Sequence, residues 1–259
     1  MRIEVLISAM DVDHIDFYKK FNLETDALII NQTDHNAYEE VDTGNFKVRM
    51  ISTDTRGVAR SRNLALLNST ADIIIFSDDD EVLEEGYSKS VRDAFEENPS
   101  VDFFIFKTII YQDGAELVKV REEKDLSFYN ILRYGAVHFT FRRKSLARKN
   151  IYLNTQFGPG TAIGSGEDSI FLMDSLRAGL RIRTNTDLIA RVYNDESTWF
   201  EGFDEKYFYD KGRLARALFP RAYRLYIGYF ISKSQEGLFD KVPRKKAFGL
   251  MLKGSKDSI

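Results

Sequence analysis

Three aspartates and a glutamate close the run ADIIIFSDDDE at residues 71–81. Carboxylates packed this tightly repel one another and take up protons unless a cation or donor groups offset them. The simplest offset is a hard divalent ion, Mg²⁺ or Mn²⁺, held by one or two carboxylates and by substrate phosphates. On an extended chain, residues i and i+2 project to one side, ~6–7 Å apart. Asp78 and Asp80 are therefore the expected metal pair, with Asp79 directed elsewhere. The competing reading is an acidic turn that caps the helix starting near residue 86. Upstream, GVARSRNLAL sets Arg60 and Asn63 three apart on one helix face, with Arg62 elsewhere on the wheel. An arginine there can clamp a phosphate or a carboxylate through two nitrogens. A third group, Glu167 and Asp168, follows the glycine-rich stretch FGPGTAIGSG (157–166) and opens a helical pattern. Such acids offset the helix dipole at least as often as they catalyse.

The elements that must position these groups alternate. Apolar runs at 2–8, 26–31, 46–51 and 72–77 read as strands, and 57–69 and 86–98 as helices. Ile15, Phe17, Tyr18 and Phe21 recur at helical spacing. Strands alternating with helices imply an α/β fold with a mostly parallel sheet, helices on both faces, and ligands beyond the carboxyl ends of the strands. Residues 101–111 read as a long strand, paired with ELVKVRE across a QDG turn, and VHFTFRR (137–143) as another. Residues 167–176 read as a helix with Gly179 as its C-cap. Residues 205–233 read as two helices broken near Pro220. No linker divides the chain, so the expectation is one domain over 1–205 with a helical extension over 206–259.

GVARSRNLALLNSTADIIIFSDDD resembles the family 2 glycosyltransferases of the GT-A fold, in which a G-x-x-x-x-R-N helix precedes a strand ending in a DxD-like motif. GSGEDSIFLMDSLRAGLRI resembles their ED motif, an acidic pair at a helix start. Order and spacing match over roughly residues 1–195. INQTDHN and NDESTWF make the chain similar, more narrowly, to bacterial capsular and exopolysaccharide enzymes. The resemblance implies a Rossmann-like nucleotide-binding half and a metal-dependent, inverting transfer of a hexose from a nucleotide sugar, UDP-linked by expectation, to a saccharide or lipid-linked acceptor. It puts Asp78 and Asp80 on metal (Mn²⁺ or Mg²⁺) and diphosphate, with Asp79, Arg60 and Asn63 in the donor-binding set. Ser8, Ala9, Met10, Asn31 and Gln32 fall where base and ribose sit. An amide at Asn31 or Gln32 can pair with a uracil or thymine edge. Asp168 is the expected base, with Glu167 beside it as the second catalytic acid. The loop 157–166 is a candidate lid, and Trp199 a candidate sugar platform. His138, inside an apolar strand, reads as a core histidine before a ligand. A sugar-nucleotide nucleotidyltransferase is the first competitor, but SAMDVD lacks the G-x-G-T-R-rich loop such enzymes carry after strand one. A non-catalytic nucleotide or metal-binding partner on the same fold is the second.

The 259 residues suffice for a sizeable core, and the absence of cysteine excludes disulfides, thiolate metal sites and a cysteine nucleophile. That suits a cytoplasmic protein. Glu4, Asp11 and Asp13 interrupt the apolar start, against a signal peptide, and no window reaches the ~18 apolar residues of a membrane span. Net charge is −3 but uneven: thirteen Lys/Arg against four Asp/Glu after residue 205 give +9 and leave −12 on the rest. Basic residues mixed with Phe, Tyr and Leu suit an anionic membrane surface at the inner face of the cell membrane. Packing on the domain or on a second subunit is the alternative, and nucleic acid is disfavoured by the acidic body.

Overall fold

The computed structural model describes residues 1–112, 114–193, 202–233 and 237–257. The chain divides into two compact units, one of Met1–Thr155 with Glu167–Glu196 and one of Gln156–Gly166 with Ser197–Ile259.

The first unit is built on one mixed sheet. Its strands are β1 (Ile3–Met10), β2 (Asp26–Gln32), β3 (Ala37–Asp42), β4 (Lys47–Thr53), β5 (Ile73–Asp78), β6 (Glu81–Leu83), β7 (Phe103–Gln112), β8 (Ala115–Val118), β9 (Phe139–Arg142) and β10 (Ile182–Tyr193). They lie in the order β3-β4-β2-β1-β5-β9-β7-β10-β6, with β8 paired to β7. The parallel core expected from the alternating pattern is present: β4, β2, β1 and β5 run the same way. Antiparallel strands enter at β9, between β5 and β7, and at β3, β6 and β8. Helices α1 (Val58–Asn68), α2 (Tyr87–Glu97), α3 (Arg143–Lys149) and α4 (Glu167–Arg177) complete the unit. The stretch Ile15–Phe21 forms a 3₁₀ helix rather than an α-helix.

Strand alternation decides what reaches each face. Ile3, Val5, Ile7 and Ala9 of β1, and Ile73 and Ile75 of β5, enter one buried cluster with Phe104, Phe106 and the Tyr87, Val91, Ala94 and Phe95 face of α2. The opposite phase of β5, Phe76 and then Asp78, points to the other face. There Phe76, Phe103, Phe139 and Phe141 surround Phe171 of α4, with ring centroids 5.8–6.2 Å from it. One register therefore buries an aromatic core on that face and delivers a carboxylate at its end.

The second unit contains α5 (Glu205–Leu218), α6 (Tyr223–Ser232) and α7 (Arg244–Gly254) around Phe208, Ala215, Ile227, Leu238, Val242 and Met251. Glycine sets the approach of α5 to α7: a Cβ at Gly212 would run into the Met251 carbonyl, and one at Gly254 into that of Tyr209. The helix break near Pro220 falls as expected, while α7 carries a third helix that residue patterning did not foresee. No helix among the described residues is long and apolar enough to cross a membrane.

Candidate active site

Parallel pairing brings the carboxyl ends of β1, β2 and β5 to one edge, with Ser8 opposite Asp78, Ala9 opposite Asn31 and Met10 opposite Gln32. At that edge the organising residue is Arg62. Ala59, Arg62, Ala65 and Leu66 form the buried stripe of α1, three and four apart as a helix face requires. The Arg62 guanidinium lies over the Phe76 ring at 5.6 Å from its centroid. Its Nη2 donates to Asp78 Oδ1 at 2.7 Å and its Nη1 to Asp168 Oδ1 at 3.1 Å, with Glu167 Oε1 3.8 Å from Nη1. Burial opposes the charge on Arg62, but three carboxylates outweigh it and hold its pKa above the ordinary value. The arginine is a fixed cation.

Asp168 lies in the first turn of α4, three residues before Phe171, so the aromatic core anchors the helix that carries it. Its Oδ2 accepts the Ala136 N–H at 3.0 Å. A quarter of the side chain remains exposed, which leaves lone pairs open to an incoming hydroxyl. Burial raises its pKa, Arg62 pulls it down, Asp78 raises it again, and the net shift is upward. Burial and the neighbouring Asp168 push Glu167 up to about 8. Folding therefore takes up a proton on Glu167 between pH ~4.5 and ~8, and stability falls as pH rises through that window. Glu167→Gln is expected to shrink the loss of Tm between pH 5 and pH 8.5; an unchanged slope would place the titration elsewhere.

The acidic turn differs from the extended chain assumed for it. Asp78 ends β5, Asp79 and Asp80 form a turn, and Glu81 begins β6, so i and i+2 no longer share a strand face. The Asp80 carbonyl accepts the Tyr193 N–H at 3.0 Å, which fixes the turn to β10. Burial, then Asp78 and Asp79, push Asp80 up to about 6. Burial and Asp78 also raise Asp79, which Lys20 pulls down. Glu81 is buried, with a pKa well above the ordinary value, and its Oε2 accepts the Asp78 N–H at 3.3 Å.

The remaining residues expected in the site make the following contacts. Arg60 is exposed and donates to the Arg56 carbonyl, while Arg62, set aside on the wheel, is the residue at the centre. Asn63 is tied to Leu153 through its backbone N–H and carbonyl, at 2.9 and 2.8 Å. The Asn31 amide bonds both backbone groups of Val12 and the Ser52 hydroxyl. Gln32 accepts the Gly57 N–H at 2.7 Å and donates to the Ala9 carbonyl. Both amides are buried and support the loop after β1 and the α1 start. Ser8 accepts from Ser61 of α1, and Ala9 is buried. His138 is fully buried, with Nδ1 3.1 Å from the Phe106 carbonyl. Burial pushes its pKa down to about 3, as a neutral core histidine requires.

The loop 157–166 lies in the second unit, with Phe157 bridged to Ile163 and both buried. Thr161 Oγ1 lies within hydrogen-bonding distance of the Gln156, Gly158 and Ile163 carbonyls, one of which accepts its single proton, and Lys206 Nζ donates to the Ala162 carbonyl. Trp199 and the NDESTWF segment lie outside the described residues. A polar cleft of about 290 Å³ opens at the opposite, amino-terminal edge of the sheet, between Arg2, Glu4, Asp26, Lys47 and Arg49. Its Arg49 and Glu4 pair at 2.8 Å, and it contains none of the acidic motifs.

A hard cation fits the donor set at the turn in part. The carboxylates of Asp79 and Asp80, both pushed up by burial and then by neighbouring acids, are oxygen donors short of compensating charge. Among the described residues no three His, Cys, Asp or Glu converge as a metal cage, so phosphate oxygens would have to complete the shell.

Comparison with known proteins places the chain in a family. The family model described as glycosyl transferase family 2 matches residues 31–176, the span from Asn31 through Arg62 and Asp78 to Asp168. No curated protein matches the chain. Among solved structures, S. aureus TarS 1-349 in complex with UDP-GlcNAc is similar at 17% identity and TM-score 0.60, over 85% of this chain and 67% of that one. The complex of TarS 1-349 with UDP is similar at 15% identity and TM-score 0.59, over 85% and 66%. A longer S. aureus TarS gives 14% identity and TM-score 0.64, over 93% of this chain and 46% of that one. The chain thus spans about two thirds of TarS 1-349 and under half of the longer protein. By its fold and by the match over more than half of its length, the chain belongs to glycosyl transferase family 2.

Proposed function

We propose that the chain transfers a hexose from a UDP-sugar to a hydroxyl of a saccharide or lipid-linked saccharide, with inversion, in bacterial polysaccharide assembly in the cytoplasm. The observation that carries this reading is the Arg62-centred cluster at the carboxyl edge of the parallel strands, with the partly exposed carboxylate of Asp168 in it. The acceptor oxygen attacks the anomeric carbon, the bond from that carbon to the diphosphate breaks, and UDP leaves with the electron pair. The hydroxyl proton passes to Asp168, which is held in one orientation by Ala136 N–H and Arg62. Attack from the side opposite the leaving group inverts the centre. Asp79 and Asp80 would hold Mn²⁺ or Mg²⁺, which when bound offsets the charge of the leaving diphosphate. The UDP and UDP-GlcNAc complexes of the structurally similar TarS support the choice of base.

Hydrolysis and transfer assays across UDP-, GDP- and dTDP-sugars test the donor. Turnover of none of them would overturn the reading. Calorimetry of UDP with and without Mn²⁺ tests the turn: Asp80→Asn is expected to remove the metal-dependent gain in affinity. Equal UDP affinity in EDTA and in Mn²⁺ for the unmodified chain would remove the metal from the proposal and leave the base in place.

A further inference from the structure

Helix α6 presents two unlike faces. Ile227 is buried on one, with Tyr223, Tyr226, Phe230 and Ile231 packed beside it in the core of the second unit. The other carries Leu225 and Tyr229, four apart and therefore in one row along the helix, with Arg221 two residues before the helix and Lys233 at its C-cap. Leu225 is 78% exposed and Tyr229 57%. Arg224 and Gly228 are exposed beside them. A large exposed apolar pair, with a cation before it and another after it, is unusual for a helix face that meets only water. The Lys233 ammonium lies 4.8 Å from the Tyr229 ring centroid, so the aromatic and the charge act at one place.

Along the chain on either side of α6 the charge is of one sign. Between Asp210 and Glu236 the sequence has no acidic residue and six basic ones: Lys211, Arg213, Arg216, Arg221, Arg224 and Lys233. The arrangement is that of a helix lying in the plane of a lipid interface, with its apolar side chains among acyl chains and its cations at the headgroups. The helix is short, 10 residues, or ~15 Å. Its inner face is fixed to a folded unit, so no folding cost opposes docking, in contrast to a free peptide.

We propose that the outer face of α6 docks the protein on an anionic lipid bilayer, with Leu225 and Tyr229 entering the interface and Arg221, Arg224 and Lys233 binding headgroup phosphates. The assignment rests on the second unit alone and is independent of the transfer chemistry at Arg62 and Asp168. A protein docked this way carries its active site to lipid-linked acceptors.

The test is co-sedimentation of the full chain with vesicles of phosphatidylcholine alone and of phosphatidylcholine with one-third phosphatidylglycerol. Binding is expected only to the anionic vesicles, weakening as salt rises. Each basic residue near such a surface is worth a factor of about five, so Arg221→Gln with Arg224→Gln should weaken binding ~25-fold. Leu225→Ser with Tyr229→Ser should weaken it comparably. Both pairs are exposed, so Tm should hold. Tyr129→Ser, at a residue 99% exposed in the first unit, should bind as the unmodified chain does. UDP affinity should be equal in every variant. Binding to neither vesicle, equal binding to both, or anionic binding unchanged in the α6 variants would overturn the proposal. So would light scattering that shows a dimer dissolved by Leu225→Ser with Tyr229→Ser, since the face would then be covered by a second copy. Loss of lipid binding with UDP affinity intact would support docking whatever the fate of the transfer reading.

Discussion

Asp168→Asn is expected to cut transfer ~10²-fold or more, the size of a lost general base, while UDP affinity stays nearly unchanged. The amide has the shape of the carboxylate but cannot accept a proton at neutral pH. It also brings an NH₂ group into a place where both partners donate: Arg62 Nη1 to Oδ1 and Ala136 N–H to Oδ2. One of those two hydrogen bonds must therefore be lost, and a modest fall in Tm is expected beside the larger fall in turnover. The pH profile separates the two effects. In the unmodified chain turnover should rise with pH through the raised pKa of Asp168, because the base works only once it has lost its proton. In the variant that acidic limb should disappear from the residual activity. Normal turnover in Asp168→Asn, or an acidic limb that persists, would move the base to another residue.

The sequence made the site's acids legible but not the residue that organises them. Asp78 could be placed because an apolar run marks β5 and parallel strands bring their ends to one edge. Asp168 could be placed because glycines and helical periodicity mark the start of α4. Arg62 escapes the sequence because the spacing of Arg60 and Asn63 draws the functional face of α1 away from it. In the fold Leu67 is exposed, and the buried stripe runs through Ala59, Arg62 and Ala65. Close approach of a helix to a sheet selects small side chains, so alanine rather than leucine marked the inner face. Asn31 and Gln32 carry a related ambiguity. Polar residues at a strand end can serve a ligand or the backbone of the next loop, and only tertiary structure shows that Val12, Gly57 and Ala9 take their hydrogen bonds. Strand β10 and helix α7 escaped because their apolar residues do not hold one period: β10 carries two register shifts against β7, and α7 interleaves lysines with its core contacts.

Arg62→Met is expected to be the most damaging substitution in the first unit. Methionine keeps much of the volume over Phe76 but removes the charge that faces Asp78, Glu167 and Asp168. Breaking a buried ion pair from one side costs ~3–5 kcal/mol, because the remaining charges stay in a poor solvent. The protein can lower that cost by protonating the acids, and this gives the effect its pH signature. Without Arg62, which pulls both of them down, Glu167 and Asp168 should titrate higher. Destabilisation should then be small near pH 5, where the acids carry protons, and grow steadily towards pH 8.5. Any residual transfer should have its acidic limb displaced upward, since Asp168 would hold its proton longer. Arg62→Lys should lie between the two, because an ammonium supplies the charge but not a planar fork able to hold Asp78 and Asp168 at once. Thermal melts across pH on Arg62→Met and Asp168→Asn test the coupling directly. If the guanidinium offsets these acids, the double variant should lose less stability than the two single losses added together. Strict additivity would mean that Arg62 and Asp168 act separately, and that the cluster is a coincidence of packing rather than one electrostatic unit.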